Sequence, residues 1–219
     1  MIRRLTLALL LTATPLLAAT PLLAEGNLDP TAPAQPGAVA LYLQARALYQ
    51  LGQTAKDPLM VLTAAQILRG LTLTDTARTP NPAPEAPTPL TTPDPAQMLN
   101  MARTLDAGQT FTDLIDAVAR QTGPNPKALR ATAASLDPAQ TQTWTLTFFG
   151  AAYAELAIAG HGNGNLDLLV SDDKGTILCQ DNGNGDSALC GFTPAENGTF
   201  TVTVTNTGTT PDGYTLLTN

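Results

Sequence analysis

Six oxygen-bearing side chains in the last third of the chain could do chemistry together: Asp167, Asp172, Asp173, Asp181, Asn184 and Asp186. Calcium takes six to eight oxygen ligands in flexible geometry, and carboxylates and backbone carbonyls on neighbouring turns supply them well. The expectation is therefore a calcium site drawn from these six residues. Two features weigh against a strong one. Asp181-Asn182-Gly183-Asn184-Gly185-Asp186 matches neither the EF-hand spacing nor the glycine-rich nonapeptide repeat, and Asn163-Gly164-Asn165 carries amides where carboxylates would bind better. The same residue types also build hairpins and polar loops, through positive φ and hydrogen bonds to their own backbone.

Catalysis has less to draw on. A nucleophile needs a base beside it and a group that orients the base. The chain has one histidine, His161, to set against Ser135, Ser171 or Ser187. His161 sits in a Gly-rich turn, where an exposed turn residue is expected. Asp172 and Asp173 are adjacent on a turn, so their side chains diverge and cannot flank a bond as a glycosidase pair does. No catalytic residue is assigned, and the chain is expected not to be an enzyme. Cys179 and Cys190 are the only cysteines. In an exported chain they are expected to form a disulfide, which chain-entropy arguments value at roughly 2–3 kcal/mol. With His161 they fall short of the four ligands of a structural zinc site.

The elements that position these residues are strands. From Thr143 the apolar period is two: Trp144, Leu146 and Phe148, then Ala154, Leu156 and Ile158, then Leu166, Leu168 and Val170, then Phe200, Val202 and Val204, then Tyr214 and Leu216. Turn-forming residues separate the runs. Seven or eight short strands over residues 143–219 predict a small antiparallel, jelly-roll-like β-sandwich. Cys179 and Cys190 would lie on neighbouring strands and close the polar loop between them.

Before Thr143 the period is helical. Val39, Tyr42, Leu43, Arg46, Leu48 and Tyr49 mark one amphipathic helix with Gly52 as its stop. Asp57-Pro58 opens a second, with Leu59, Leu62, Ala65, Leu68 and Leu71 as its stripe. Residues 25–73 thus read as a helical hairpin. Prolines 80, 82, 84, 87, 89, 93 and 95 then exclude a helix interior or central strand, and residues 74–93 read as a semi-rigid linker. Residues 94–136 read as a second helical segment. Asp94-Pro95 starts it, with Leu99, Ala102 and Leu105 as the stripe. A further helix runs from Phe111 to Gln121 behind a Thr110/Asp113 capping box, with Gly123-Pro124 as its stop, and a short one starts at Asn125-Pro126 and ends near Ser135. The fold class is α+β in two separate parts, a helical region and a sandwich.

Residues 1–24 have the parts of a secretory signal: Arg3-Arg4, the run from Leu5 through Leu17, and a small-residue exit ending at Ala24, with Ala18-Ala19 as the alternative cleavage point. No later segment is apolar for the ~20 residues a membrane span needs. The expected compartment is the periplasm or the exterior. Acids outnumber bases 18 to 11, which argues against nucleic acid as a partner. From Thr143 onward Lys174 is the only base.

The order of a Trp-containing strand, Asn165-Leu166-Asp167-Leu168, Asp172 to Gly175, a polar loop, Phe192-Thr193-Pro194, Gly198 to Val204, Asn206 and Tyr214-Thr215-Leu216 resembles the bacterial pre-peptidase C-terminal domain. The resemblance covers about residues 143–219 and leaves the helical half outside it. It implies a compact sandwich that serves secretion, localisation or substrate binding, with calcium bound in some relatives. The segment before it here is helical rather than a peptidase. The expected function is that of an exported accessory protein that binds another exported protein or a cell-surface component. The alternative is a calcium-dependent carbohydrate- or matrix-binding module. Sugar binding would call on exposed rings, for which Tyr153 and Tyr214 are the candidates, and a helical recognition surface would use a groove along the Leu62 or Leu99 stripe.

Overall fold

The computed structural model describes residues 26–32, 37–84, 94–121, 127–162 and 164–219. The residues read as a secretory signal, residues 122–126, Asn163 and the Pro tract over 85–93 lie outside the described residues. Among the described residues nine strands make two sheets. They are β1 (Leu71–Asp75), β2 (Lys127–Leu136), β3 (Thr141–Phe148), β4 (Ala154–Gly160), β5 (Leu166–Ser171), β6 (Ile177–Asp181), β7 (Ser187–Phe192), β8 (Gly198–Asn206) and β9 (Asp212–Thr218). One sheet has the order β1-β2-β9-β4-β7 and the other β3-β8-β5-β6. Every pairing is antiparallel except β1 on β2, which is parallel. Between the sheets lie the apolar residues of the period-two runs, with Phe148, Phe192 and Phe200 in mutual ring contact. The α+β division expected from the sequence holds.

Among the described residues four helices, α1 (Ala38–Ala55), α2 (Pro58–Arg69), α3 (Pro95–Leu105) and α4 (Thr112–Arg120), cover the outer face of the five-stranded sheet. Val39, Tyr42, Leu62, Leu68, Met98, Leu99 and Ile115 share one core with Leu129, Ala131, Ala157, Ala159 and Leu217 of the sheet. The Leu62 and Leu99 stripes are thus buried against strands and do not line an open groove. Strand β4 is buried along its whole length because it has a core on each face. Its even residues point between the sheets and its odd residues point at the helices.

One of those odd residues is Glu155, 1% exposed. Helix α1 begins after Gly37, which offers no capping side chain. The Glu155 carboxylate supplies the cap instead, accepting from the backbone N–H groups of Gly37 at 2.6 Å, Val39 at 3.0 Å and Ala40 at 3.4 Å. A negative group at a helix N-terminus meets both the unpaired donors and the positive end of the helix dipole. A Cβ at position 37 would lie 2.3 Å from the carboxylate, so only glycine fits there. Further along, Arg46 donates to the Gly160 carbonyl at 2.6 Å. The two contacts lay α1 along β4 in the same direction.

The two remaining helix starts with Asp-Pro behave as expected. Asp57 accepts from Leu59 and Met60, and Asp94 from Ala96. Other expectations are corrected. Gly52 does not stop α1, which runs on to Ala55 and ends at Lys56 in the left-handed region. Gly52 is instead where Met60 and Val61 of α2 press closest, a Cβ there meeting both at 2.9 Å. The Thr110/Asp113 box is absent. Asp106 does that work, accepting from the backbone of Thr110 and Phe111 and from the Thr112 hydroxyl. Leu71 belongs to β1, and residues 127–136, read as a helix, form β2. Seven residues of β2 pair with β9, and this tertiary pairing overrides the helical propensity of an alanine-rich stretch.

Residues 76–84 are also no free spacer. Thr76 donates to the Ala131 carbonyl on β2, then the chain crosses to the other sheet, where Asn81 and Thr143 of β3 exchange two backbone hydrogen bonds. This strap bridges the two sheets on one side of the sandwich. A buried polar chain anchors it: Trp144 Nε1 donates to the Tyr214 hydroxyl, that hydroxyl donates to Gln142 Oε1, and Gln142 Nε2 donates to the Pro82 carbonyl. On the opposite side Cys179 and Cys190 form the expected disulfide. Its strands β6 and β7 are edge strands of different sheets, so the bond ties the two sheets together as well as spanning the polar loop.

Replacing Glu155 by Ala leaves three N–H groups of α1 without their acceptor. The expected loss is roughly 2–3 kcal/mol, read as a lower urea midpoint, with Glu155→Gln losing less. An unchanged midpoint in both variants would remove the carboxylate from the account of how the layers join.

Candidate binding cleft

The six candidate calcium ligands do not converge. Asp167 and Asp172 stand at opposite ends of β5, about 17 Å apart along the strand. Asp172 and Asp173 are at one end of the sandwich. Asp167, Asp181, Asn184 and Asp186 are at the other. Three of these four have oxygens engaged locally. Asp181 accepts from the backbone of Gly183 and Leu189, Asp186 from the Ser187 hydroxyl, and Asp167 weakly from Thr207 at 3.5 Å. Among the described residues no three carboxylate, His or Cys side chains are grouped so as to hold a metal ion.

Asp172 is buried and has a structural task. Its carboxylate accepts from the backbone of Lys174, Thr176 and Asn27, holding the β5–β6 turn and clamping the N-terminal segment to it. Burial acts to raise its pKa, but the N–H donors of Asn27, Thr176 and Lys174, with the Lys174 charge, outweigh burial and hold it below the usual carboxylate range.

His161 is exposed, as expected of a turn residue. Its ring lies over Gly213, where a Cβ would meet Nδ1 at 2.7 Å. Ser135 is in register with Gly213 across β2 and β9, yet no hydrogen bond joins hydroxyl and imidazole among the described residues. Tyr214, expected to be an exposed ring, is fully buried and edge-on to Trp144. The period-two pattern that places Tyr214 beside Leu216 already points it inward.

A concave site lies elsewhere, at the end of the sandwich where β3 runs into β4. It is a cleft of about 360 Å³ between the two sheets. Leu146 and Phe148 of β3 and Ala154 of β4 line its apolar side, with Phe149 and Tyr153 of the β3–β4 connection and Thr218 and Asn219 at the end of β9. Phe149 is 71% exposed, the most exposed large apolar side chain among the described residues. Tyr153 lies against Gly191, where a Cβ would meet its hydroxyl at 2.1 Å, so glycine makes the room for the ring. Burial, then the Glu155 charge, raises the Tyr153 pKa, keeping the phenol neutral.

Two arginines give the cleft its charge, Arg78 from the strap and Arg130 from β2. Arg130 is in register with Thr218, and Arg78 donates to the Thr218 hydroxyl at 3.3 Å. Burial, then the neighbouring Arg130 charge, lowers the pKa of Arg78. The Arg78 Nε is buried and has no hydrogen-bond partner among the described residues. The ion pair found among the described residues is Arg103 with Asp116, so neither cleft arginine is neutralised by a described carboxylate. Sequence reasoning missed this site because Arg78 falls in a stretch read as linker and Arg130 in one read as helix. No motif surrounds either residue.

No protein-family model and no curated protein matches the chain. Solved structures similar to it include the pre-peptidase C-terminal domain of a collagenase from Bacillus anthracis, at 16% identity and a TM-score of 0.33 over 40% of this chain and 86% of that one. PliG from Aeromonas hydrophila, a periplasmic inhibitor of g-type lysozyme, matches at 13% and 0.31 over 42% and 84%. TmCBM61, solved with β-1,4-galactotriose, matches at 17% and 0.29 over 41% and 69%. The expected resemblance thus meets one low-scoring neighbour, and at such identities and scores none of the three says anything of ligand or partner.

Thermal unfolding is expected to be the same in calcium and in excess chelator. A calcium-dependent rise that Asp181→Ala abolishes would instead make the β6–β7 end a metal site. For Asp172 the depressed pKa means that its stabilisation is present above the unfolded value near 3.9 and fades as pH falls through the lower folded value. The stability gap between wild type and Asp172→Asn should therefore be widest at neutral pH and narrow below about pH 4. A gap independent of pH would show that the charge is not what Asp172 contributes.

Proposed function

We propose that the protein is an exported, non-enzymatic accessory protein that holds an anionic group of its partner in the cleft between its sheets. One observation carries this reading: Arg78 and Arg130 stand together without a described carboxylate partner, in a chain where acids outnumber bases. Two neighbouring guanidinium groups repel each other, and an anion between them relieves that repulsion while its oxygens take their forked N–H donors. Phe149 and the Leu146–Phe148 wall offer apolar surface for the rest of the ligand. Small-molecule and peptide sites commonly combine such a wall with a few placed polar groups.

The disulfide supports an oxidising compartment, as the signal-like residues 1–24 do. Among the described residues no helix is long and apolar enough to cross a membrane. A periplasmic or secreted location follows on this reading.

The test is thermal unfolding with glucuronate and citrate against neutral glucose. A ligand at 100 times its Kd adds about 2.7 kcal/mol, a rise of a few degrees. The carboxylates should raise the midpoint and glucose should not. Arg130→Ala should abolish the rise while leaving the free protein's midpoint nearly unchanged, since Arg130 is exposed. An equal rise in Arg130→Ala would take the anion out of the cleft.

A further inference from the structure

The cleft has a second property, which concerns backbone rather than charge. Strand β3 is an edge strand of its sheet. In an antiparallel pair, alternate residues turn their N–H and C=O groups toward the neighbour and away from it. Thr143 turns both away from β8, because its N–H donates to Asn81 at 2.9 Å and its carbonyl accepts from Asn81 at 2.8 Å. Thr145 and Thr147 share that parity. Neither has a backbone partner outside its own sheet among the described residues.

The strap explains why this edge is open. Upstream of Asn81 it leaves β3 and crosses to β2, where Thr76 bonds to Ala131. The departing strap, through Arg78, and β3 both line the cleft. The cleft touches Thr145, Leu146, Thr147 and Phe148 in succession. Successive strand residues point to opposite faces, so a cleft that touches all four runs along the strand's edge. Edge strands are commonly guarded by lysine, proline or a bulge. No such guard interrupts 145–148, whereas the β6 and β7 edges are tied to each other by the disulfide.

We propose that the cleft receives an extended peptide segment bearing a carboxylate. The peptide adds antiparallel or parallel to β3 at Thr145 and Thr147, and its carboxylate lies between Arg78 and Arg130. The proposal rests on the reading of the cleft as an anion site and names the partner's chemistry. A peptide backbone supplies donors and acceptors at the two-residue repeat this edge presents, and the Asn81 bridge already shows one residue paired there. The Arg78 guanidinium, whose Nε has no partner among the described residues, lines the same cleft. A carbohydrate acid would satisfy the arginines and leave the edge unpaired.

The experiment uses the folded, oxidised protein labelled with ¹⁵N. Four probes are compared: an alternating Thr-Val pentapeptide with a free C-terminal carboxylate, its C-terminal amide, the amide with one internal Glu, and glucuronate. One of the two carboxylate peptides should bind about ten-fold tighter than both the plain amide and glucuronate, and which one does so tells a chain terminus from an acidic side chain. The amide protons of Thr145 and Thr147 should then exchange more slowly. Thr147→Pro removes one outward donor without touching the ladder to β8. It should weaken the peptide about five-fold to ten-fold and leave glucuronate binding unchanged.

If glucuronate binds as tightly as either peptide and neither threonine amide slows, the peptide proposal is overturned while the anion site stands. If no probe binds, both readings fall. If the plain amide slows the same amides as fully, and does so in Arg130→Ala, the carboxylate has no part and the proposal is overturned. The exchange measurement on the unaltered protein decides the matter even if Thr147→Pro does not fold.

Discussion

The structure depends on one carboxylate placed where a sheet meets a helix. Glu155 sits near the start of a buried strand and would be costly there as an unpaired charge. The N-terminus of α1 supplies three donors and a favourable dipole, and Gly37 lets the backbone come close enough to use them. Each partner answers the other's unmet need. With α1 fixed at Glu155 and again at Gly160, α2 packs on α1 at Gly52, and the remaining helices follow onto the same face of the sheet. Small residues, Ala157 and Ala159, let that layer sit close.

This arrangement means that the sandwich and the helical region are not independent. Strand β2 comes from the chain before Thr143 and pairs with β9, and β1 adds to it. The cleft follows from the same join. The segment from Thr143 onward contains no arginine, and both cleft arginines are contributed by chain that precedes it. A sandwich with a strongly acidic sequence thereby acquires a local positive site at one end.

Much of the fold was legible because it rests on local rules. The Asp57-Pro58 and Asp94-Pro95 starts, the period-two strands after Thr143 and the cysteine pairing all depend on neighbours in sequence or on compartment chemistry. What escaped reading was long-range. Residues 127–136 are alanine-rich and become a strand only because β9 lies beside them. Thr76 to Pro84 looked like spacer because prolines hide how a chain can still lie against an edge through a single residue such as Asn81. The cap of α1 lies 118 residues from Gly37. The acidic turns drew attention by their residue types, yet Asp172 and Asp181 spend their oxygens on the turns that carry them. The cleft had no motif at all, since it arises where four distant segments meet.

The strap also has an optical consequence. Trp144 is the chain's single tryptophan, and its indole N–H begins the buried polar chain that passes through Tyr214 and Gln142 to the carbonyl of Pro82. Arg78 lies four residues earlier on that same strap. Any displacement of the strap is therefore transmitted to the hydrogen bonding of the one strongly emitting indole, so the molecule carries its own fluorescent gauge of what happens at the cleft.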